Sequence, residues 1–358
     1  MLPLEVCIQG LQRLEYRGYD SAGVALVAPG MDQVAVRKKA GRLANLVESI
    51  ETRPMPDATA AIGHTRWATN GAPSDVNAHP HTSMDGKVAI IHNGIIENAS
   101  QLRLDLQAEG YRFASATDTE VAAKLLGKIV NVVIEEKGQP DLFEAVRRMS
   151  RMLEGAFTIL AVDCRQPDLV VGTRHDSPLV VGLGDNGNYL GSDVAAFVAY
   201  TKQALEVDQD QVVAVGGESV VVTDFDGNVV EHPKTFTVDW DASAAEKGGW
   251  DSFMDKEIHE DPAAVQRTLI GRMDDHGTIN LDEIHIDEHE LKMIDKIIVV
   301  ACGTASYAGM VAKYAIEHWV RIPVEVELAH EFRYRDPILT PRTLVVAISQ
   351  SGETMDTL

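Results

Sequence analysis

The C-terminal part of the sequence repeats one pattern, in which a buried strand runs into a turn of small polar residues and then into a helix. "KIIVVACGTASYAG" (296–309) and "TLVVAISQSGETMDT" (343–357) both follow it, and the apolar run "PVEVELA" (323–329) lies between them. Strands that alternate with helices indicate a parallel sheet. Because about 75 residues are too few for a complete doubly wound domain, we expect 285–358 to be a truncated α/β domain.

The preceding sequence has a different pattern, which predicts an α+β domain over residues 1–232. Helices are predicted at 4–16, 98–110, 117–133 and 141–153. Asn98 can cap the second of these, and Thr117 and Glu120 form a capping box at the start of the third. Strands are predicted at 21–27, 58–69 and 87–94, followed by short strands separated by turns. The acidic stretch that follows predicts a linker region, 233–284, with two helical pieces around Pro262.

Composition limits the compartment and the partners. Of the 358 residues, 45% are hydrophobic, but no run approaches the 18 apolar residues of a membrane span. The net charge of −22 argues against nucleic acid and anionic membranes as partners. The three cysteines, Cys7, Cys164 and Cys302, form neither a disulfide framework nor a zinc pattern, so we expect a reducing cytoplasm.

Three short stretches of the first domain carry residues suited to binding and catalysis. Arg66 could hold a carboxylate through two hydrogen bonds, beside a pocket wall formed by Trp67. Asn93 and Gly94, at the predicted end of a strand, offer a side-chain and a backbone N–H to an oxyanion. Asp118, at a helix start, could hold an ammonium group. Taken singly, each has an ordinary alternative: a surface arginine, a core tryptophan, a plain turn, or an acidic residue that complements the helix dipole.

Two further patterns concern ions. "NAHPH" (77–81) and His92 lack a neighbouring carboxylate cluster, so no metal site is expected. "ACGTAS" (301–306) and "SQSGET" (349–354) each place small hydroxyl residues at a helix N-terminus, where free backbone N–H groups attract phosphate. Two such turns on one parallel sheet favour a phosphate site at the carboxyl ends of its strands.

The motifs "LEYRGYDSAG", "HTRWAT", "NAHPH", "HNGIIEN" and "TDTE", in that order, resemble the class II glutamine amidotransferase family. With "ACGT", "EFRYR" and "SQSGET" after them, the whole chain resembles the family of glutamine–fructose-6-phosphate aminotransferases. The resemblance implies a four-layer αββα Ntn-hydrolase domain that releases ammonia from L-glutamine. It also implies SIS sugar-isomerase domains that aminate and isomerise fructose 6-phosphate to glucosamine 6-phosphate, with no metal and no cofactor.

The family's functional residues map onto this sequence as follows. The glutamine-binding positions are Arg66, Trp67, Thr69 and Asp118, and the oxyanion hole is Asn93 and Gly94. The segment with Arg17 and Tyr19 lies near the nucleophile. The sugar-phosphate positions are Cys302, Gly303, Thr304, Ser349, Gln350, Ser351 and Thr354. The resemblance also implies a homodimer through the SIS domains.

The sequence departs from the family pattern in several places. Asn70 replaces a usual histidine, and Ala305 replaces a serine. The family's N-terminal cysteine, whose thiol attacks glutamine and whose amine acts as base, is expected to be missing, as is the second SIS domain. Cys7, in the middle of a predicted helix, is expected to be structural. We therefore expect an incomplete form without glutaminase activity.

Two alternatives remain open at this stage. One is another class II amidotransferase, such as the purine-pathway phosphoribosyl enzyme, which would carry a phosphoribosyltransferase signature in place of "SQSGET". The other is a sugar-phosphate sensor without catalysis.

Overall fold

The computed structural model of the protein describes residues 2–68, 71–239, 250, 252–269, 272, 286–350 and 357. The chain divides into two compact units, Met1–Lys256 and Glu257–Leu358. Within the described residues, every helix is too short or too polar to cross a membrane.

The first unit alternates helices with antiparallel strands. Its helices are α1 Pro3–Arg13, α2 Leu43–Thr52, α3 Ala99–Ala108, α4 Asp118–Lys137 and α5 Leu142–Ser150. Its strands are β1 Ser21–Val27, β2 Ala35–Ala40, β3 Ala60–Arg66, β4 His81–Thr82, β5 Val88–Ile96, β6 Gly155–Asp163, β7 Val170–His175, β8 Leu179–Gly182, β9 Tyr189–Gly191, β10 Gln203–Val207, β11 Gln211–Val215, β12 Val220–Asp224 and β13 Thr235–Thr237.

These elements stack in four layers. A sheet of order β2-β1-β3 lies under α1 and α2, and a sheet of order β12-β11-β7-β6-β5-β4 lies under α3, α4 and α5. Between the two sheets, Ala25, Val27 and Ile62 pack against Ala89 and Ile91. A smaller sheet, β13-β10-β8-β9, packs against the far end of the second sheet. The expected αββα sandwich is therefore confirmed.

Strand β1 lies in the middle of this arrangement, and all seven of its residues are buried. It pairs with both β2 and β3. Its alternate side chains face opposite sides, so Ala22 and Val24 meet the helices while Ala25 and Val27 meet the second sheet. A strand that is covered on both faces has a continuous apolar sequence, so its bounds could be predicted from the sequence. The predicted bounds of 21–27 are confirmed.

Strand β5 continues past the expected turn. Its predicted end at Gly94 is wrong, because Asn93 and Gly94 lie inside the ladder with β6, opposite Thr158 and Phe157, and pairing continues to Ile96. Gly94 has φ +127°, and a Cβ atom there would lie 2.1 Å from the carbonyl oxygen of Ala156. Glycine thus lets the two strands approach where any side chain would force them apart.

The start of α4 is fixed by a partly confirmed capping box. Thr117 Oγ1 accepts a hydrogen bond from the Glu120 amide at 3.2 Å, as predicted. The Glu120 carboxylate accepts instead from the amides of Ala114 and Ser115, at 3.0 and 2.6 Å. It therefore anchors the loop that leads into the helix.

The second unit contains a parallel sheet of order β15-β14-β16. Its elements are α7 Glu288–Met293, β14 Lys296–Ala301, α8 Gly303–Trp319, β15 Val324–Leu328, α9 Ala329–Tyr334 and β16 Thr343–Ile348. Ala301 pairs with Leu328 on one side and Ile348 on the other, so the three strands end together.

Two local predictions are corrected. Pro262 lies within one helix, α6, Phe253–Leu269, and not between two pieces. Asn98 precedes α3 but does not cap it with its side chain. Its amide instead donates to the Met152 carbonyl and accepts from the Glu154 amide, which ties the helix to the start of β6.

Candidate active site

The open edge of β5 is the centre of the candidate site. Along this edge β4 pairs only with Ala89 and Ile90, and among the described strands none pairs with the stretch that follows. The Val88 amide donates to Ser83 Oγ and the Ile96 amide donates to Asp118 Oδ2, so even-numbered amides face this edge. Because amide directions alternate along a strand, the Gly94 N–H points the same way.

Asp118 lies beside this edge as the first residue of α4. Its side chain is 7% exposed, and its two oxygens accept from the amides of Ile96 at 3.0 Å and Thr119 at 2.9 Å. A carboxylate has about four acceptor positions, so two hydrogen bonds leave capacity for an ammonium group. His92 Nδ1 lies 3.9 Å from Asp118 Oδ2.

Arg66 ends β3, the strand of the first sheet next to β1. Its side chain is 4% exposed, its Nη2 atom donates to the Gly71 carbonyl at 3.0 Å, and its Nη1 atom lies 3.8 Å from Asp20 Oδ1. Asp20 also accepts a hydrogen bond from the Ala68 amide, so it steadies the turn after the strand. Sequence reasoning missed Asp20, although its position directly before a fully buried strand was a usable signal.

Four histidines connect the two sheets between these charged residues. The ring of His79 stacks on His64 at 4.6 Å and lies 6.5 Å from His92, with His81 edge-on at 5.4 Å. Burial lowers the pKa of His64 to about 3 and of His81 to about 2, and lowers the pKa of His79 well below its usual value. Burial lowers the His92 pKa too, while the Asp118 carboxylate acts in the opposite direction. The rings are therefore neutral at physiological pH.

No metal centre is formed by these rings. Within the part of the chain that the structure describes, no three His, Cys, Asp or Glu side chains are arranged to hold an ion. His81 Nε2 is instead hydrogen-bonded to Thr117 Oγ1 at 3.0 Å, and His92 Nδ1 to Thr119 Oγ1 at 3.1 Å. The histidines thus connect the "NAHPH" loop and β5 to the first turn of α4.

The residues expected near the nucleophile lie around Gly18. Trp67 is 70% exposed, and its ring lies so close that a Cβ atom on Gly18 would be 2.7 Å from Cζ3. Arg17 Nη1 donates to Ser192 Oγ at 3.2 Å. The Tyr19 hydroxyl donates to Glu15 and accepts from the Leu43 amide at the start of α2, and burial raises its pKa to about 12. The structure thus brings Trp67 together with this segment.

Cys7 lies in α1 and packs against the core beneath that helix. Burial raises the pKa of its thiol to about 12. This setting suits the structural role expected from the sequence and disfavours a thiolate.

In the second unit, two turns meet at one edge of the sheet. Cys302, Gly303 and Thr304 follow β14, and Ser349 and Gln350 follow β16, directly after the paired residues Ala301 and Ile348. Helix α8 begins without a side-chain cap, and Gly303 has φ +55° with no atom within 4 Å of its missing Cβ. Its first N–H groups are therefore available to an anion.

The third strand contributes a residue that sequence reasoning missed. His330, just after β15, places Nδ1 3.7 Å from Cys302 Sγ. The signal was available, because a polar residue after any strand of a parallel sheet faces the same edge. The proposed ligands Thr69, Ser351 and Thr354, and the departure at Asn70, lie outside the described residues.

Comparison with known families and relatives shows what the chain is similar to. A glutamine amidotransferase domain model matches residues 51–226, and a SIS domain model matches 290–358. Proteins named glutamine–fructose-6-phosphate aminotransferase [isomerizing] are 59% identical in Corynebacterium efficiens and 57% in Streptomyces coelicolor, each over 355 residues. Those matches cover 99% of this chain and 56% of the relatives, so the chain spans about half their length.

Solved structures support the fold. Glutamine phosphoribosylpyrophosphate amidotransferase from B. subtilis, complexed with ADP and GMP, matches with a TM-score of 0.51 at 19% identity, over 90% of this chain and 62% of that one. A structure described as the allosteric regulatory enzyme of purine biosynthesis matches with a TM-score of 0.52 at 20% identity and the same coverage. The chain combines a glutamine amidotransferase domain of the Ntn-hydrolase fold with SIS-domain sequence, and it belongs to the family of glutamine–fructose-6-phosphate aminotransferases.

Proposed function

We propose that the whole protein makes glucosamine 6-phosphate from fructose 6-phosphate and L-glutamine. This chain spans about half the length of the relatives that it matches. In this proposal the first unit binds glutamine and the second binds the sugar phosphate. The observation that carries it is the open edge of β5, where the Asp118 carboxylate accepts from the Ile96 amide, two residues beyond Gly94.

We assign the α-amino acid end of glutamine to two oppositely charged groups. Asp118, buried and already held by two amides, would accept the ammonium group. Arg66, buried at the end of β3, would hold the carboxylate, with Trp67 and Thr69 completing the pocket. Buried charges of this kind are stabilised when ligand charges of opposite sign pair with them.

The amide end of glutamine would then lie against β5. The family's reaction is attack by a thiolate on the side-chain amide carbon, with loss of ammonia and hydrolysis of the thioester by water. Negative charge develops on the amide oxygen, and the Gly94 N–H and the exposed Asn93 side chain are the donors proposed for it. The segment with Arg17 and Tyr19 would support the nucleophile.

The sugar phosphate would bind at the carboxyl edge of the parallel sheet. A chain of net charge −22 needs local positive potential to bind a dianion. The uncapped N-terminus of α8 supplies it, and we assign the phosphate ligands to Cys302, Gly303, Thr304, Ser349, Gln350, Ser351 and Thr354. Ala305 would contribute no hydroxyl.

The same proposal includes three further expectations. The domain bounds are 1–232, 233–284 and 285–358, the compartment is a reducing cytoplasm, and the protein forms a homodimer through its SIS domains.

The SIS match at 290–358 argues against a phosphoribosyl-transferring relative, because the likeness to that enzyme is one of fold. A sugar-phosphate sensor would use only the second site, so binding of glutamine separates it from the enzyme.

Calorimetric titration of this chain tests the proposal. We expect one mole of L-glutamine per mole of protein, with Arg66→Met and Asp118→Asn each weakening binding, and one independent mole of fructose 6-phosphate that neither substitution affects. D-Glutamine is the control ligand, since it should not satisfy both charged residues. Binding of the sugar phosphate without glutamine would favour the sensor, and binding of neither would contradict both assignments.

A further inference from the structure

Lys38, on β2, makes an unusual set of contacts for a lysine. Its ammonium group donates to the carbonyl oxygens of Val76, Ala78 and Pro80 at 3.1, 2.6 and 3.0 Å. An ammonium group has three N–H donors, so all three are used on a single loop. Burial lowers the pKa of Lys38 to about 8, which leaves it protonated at neutral pH.

The loop that Lys38 holds is the segment 71–82, whose last two residues form β4, and it packs directly on the first sheet. Lys38 lies opposite Gly23 in the β1–β2 pair, and a Cβ atom on Gly23 would lie 2.1 Å from the His79 carbonyl oxygen. Glycine on β1 therefore allows the close approach, and the lysine on β2 satisfies the carbonyls that this approach takes out of water.

The same loop contacts Arg66 and the two residues that directly precede Asp118. At its start, the Gly71 carbonyl accepts from Arg66 at 3.0 Å. Near its end, Asn77 Oδ1 accepts from the Ala116 amide at 3.1 Å, and His81 is hydrogen-bonded to Thr117 Oγ1, directly before Asp118. The loop thus spans the distance between the carboxylate-binding and ammonium-binding sides of the pocket.

We propose that Lys38 is a positioning residue for amino-acid recognition: it fixes the 71–82 loop so that Arg66 and Asp118 keep the separation that the two ends of glutamine require. This inference rests on the proposed glutamine site. Lys38 touches no substrate in it and acts only through the loop.

Three variants of this chain test the proposal by titration with L-glutamine, with the melting temperature followed in parallel. Lys38→Met removes the donors but keeps the length, and we expect it to weaken glutamine binding about tenfold or more while fructose 6-phosphate binding stays unchanged. Lys38→Arg, which restores a charged donor, should recover most of the affinity. Lys234→Met is the control, because Lys234 is exposed and its ion pair with Glu206 on β10 involves no residue of the loop.

The outcomes separate this proposal from the function on which it rests. If the unaltered chain fails to bind glutamine, the proposed function is wrong. If it binds, and Lys38→Met binds equally well with only a lower melting temperature, Lys38 is merely structural and the proposal is overturned. Should Lys38→Met fail to fold, Asn77→Ala keeps the lysine contacts and removes the link to Ala116. Unchanged glutamine affinity in that variant would equally refute the positioning role.

Discussion

Asp118 Oδ2 accepts a hydrogen bond from the amide of Ile96 at 3.0 Å, so the first residue of α4 is fastened to the last residue of β5. The contact keeps a carboxylate at a strand edge that would otherwise expose an unpaired amide. Asp118 therefore has two roles, one in stabilising the fold and one proposed in glutamine binding, and separate measurements of stability and binding can distinguish them.

The substitution Asp118→Asn should reduce both the stability of the fold and the affinity for glutamine. The new NH₂ group must face one of two backbone N–H donors, so we expect the free energy of unfolding to fall by about 1–3 kcal/mol. Loss of the charge should weaken glutamine binding by about 2–5 kcal/mol. Chemical unfolding and calorimetry measure the two effects. Asp105→Asn, on the exposed face of α3, is the control. A variant that is less stable but binds glutamine normally would remove Asp118 from the pocket.

Gly94→Ala should destabilise the first unit strongly, because the added methyl group meets the Ala156 carbonyl on β6. Gly187 provides a matched control, since its φ of +130° is close to the +127° of Gly94 but no atom lies within 4 Å of its missing Cβ. Gly187→Ala should cost only the backbone strain, about 1–2 kcal/mol, and Gly94→Ala clearly more. Equal losses in urea unfolding would mean that β6 moves aside freely.

The stacked histidines predict acid sensitivity. Their pKa values in the folded state lie below the unfolded value of about 6.5, so between those values the unfolded chain binds more protons. The folded state holds these rings in the neutral form, so their contribution to stability is fully present above pH 6.5. Below pH 6.5 the free energy of unfolding decreases as the pH falls, by up to about 1 kcal/mol per pH unit for each histidine. His79→Gln should reduce this slope, measured by urea unfolding from pH 7.5 to 5. Exposed His232→Gln should leave it unchanged, and an unaltered slope in both variants would refute the prediction.

Two hydroxyls in the first turn of α8 should behave differently. Ser306 is buried and donates to the Gly303 carbonyl at 2.6 Å. The substitution Ser306→Ala should therefore lower the free energy of unfolding by about 1 kcal/mol, and with it the melting temperature, but it should have little effect on sugar binding. Thr304 is exposed, so Thr304→Ala should weaken fructose 6-phosphate binding at unchanged melting temperature. The reverse pattern would contradict the phosphate assignment.

Much of the fold could be predicted where an element is mostly buried. β1, α4 and β14 have apolar patterns that local sequence displays. β2 was missed because it is a half-buried edge strand with Arg37, Lys38 and Lys39 in its centre, a pattern typical of a solvated loop. α2, which follows it, was missed as well. The Asn93–Gly94 pair signalled a turn, but pairing of Ile95 and Ile96 with β6 overrides that local preference.

The candidate site shows the same division. Residues that act near their own motif, such as Arg66 and Asp118, could be found from sequence and resemblance. Lys38 could not, because its carbonyl partners lie 38 to 42 residues further along the chain. Only the packing of a loop on the β1–β2 pair brings them together.

The stacked imidazoles of His64, His79 and His92 give the site an intrinsic spectroscopic reporter. Each ring lies in the magnetic field of its neighbour's aromatic electrons, so their carbon-bound protons should resonate away from those of exposed histidines. Because the stack runs from β3 to β5, these resonances report whether the two sheets keep their alignment. A proton spectrum can therefore follow the geometry of the site before any ligand is added.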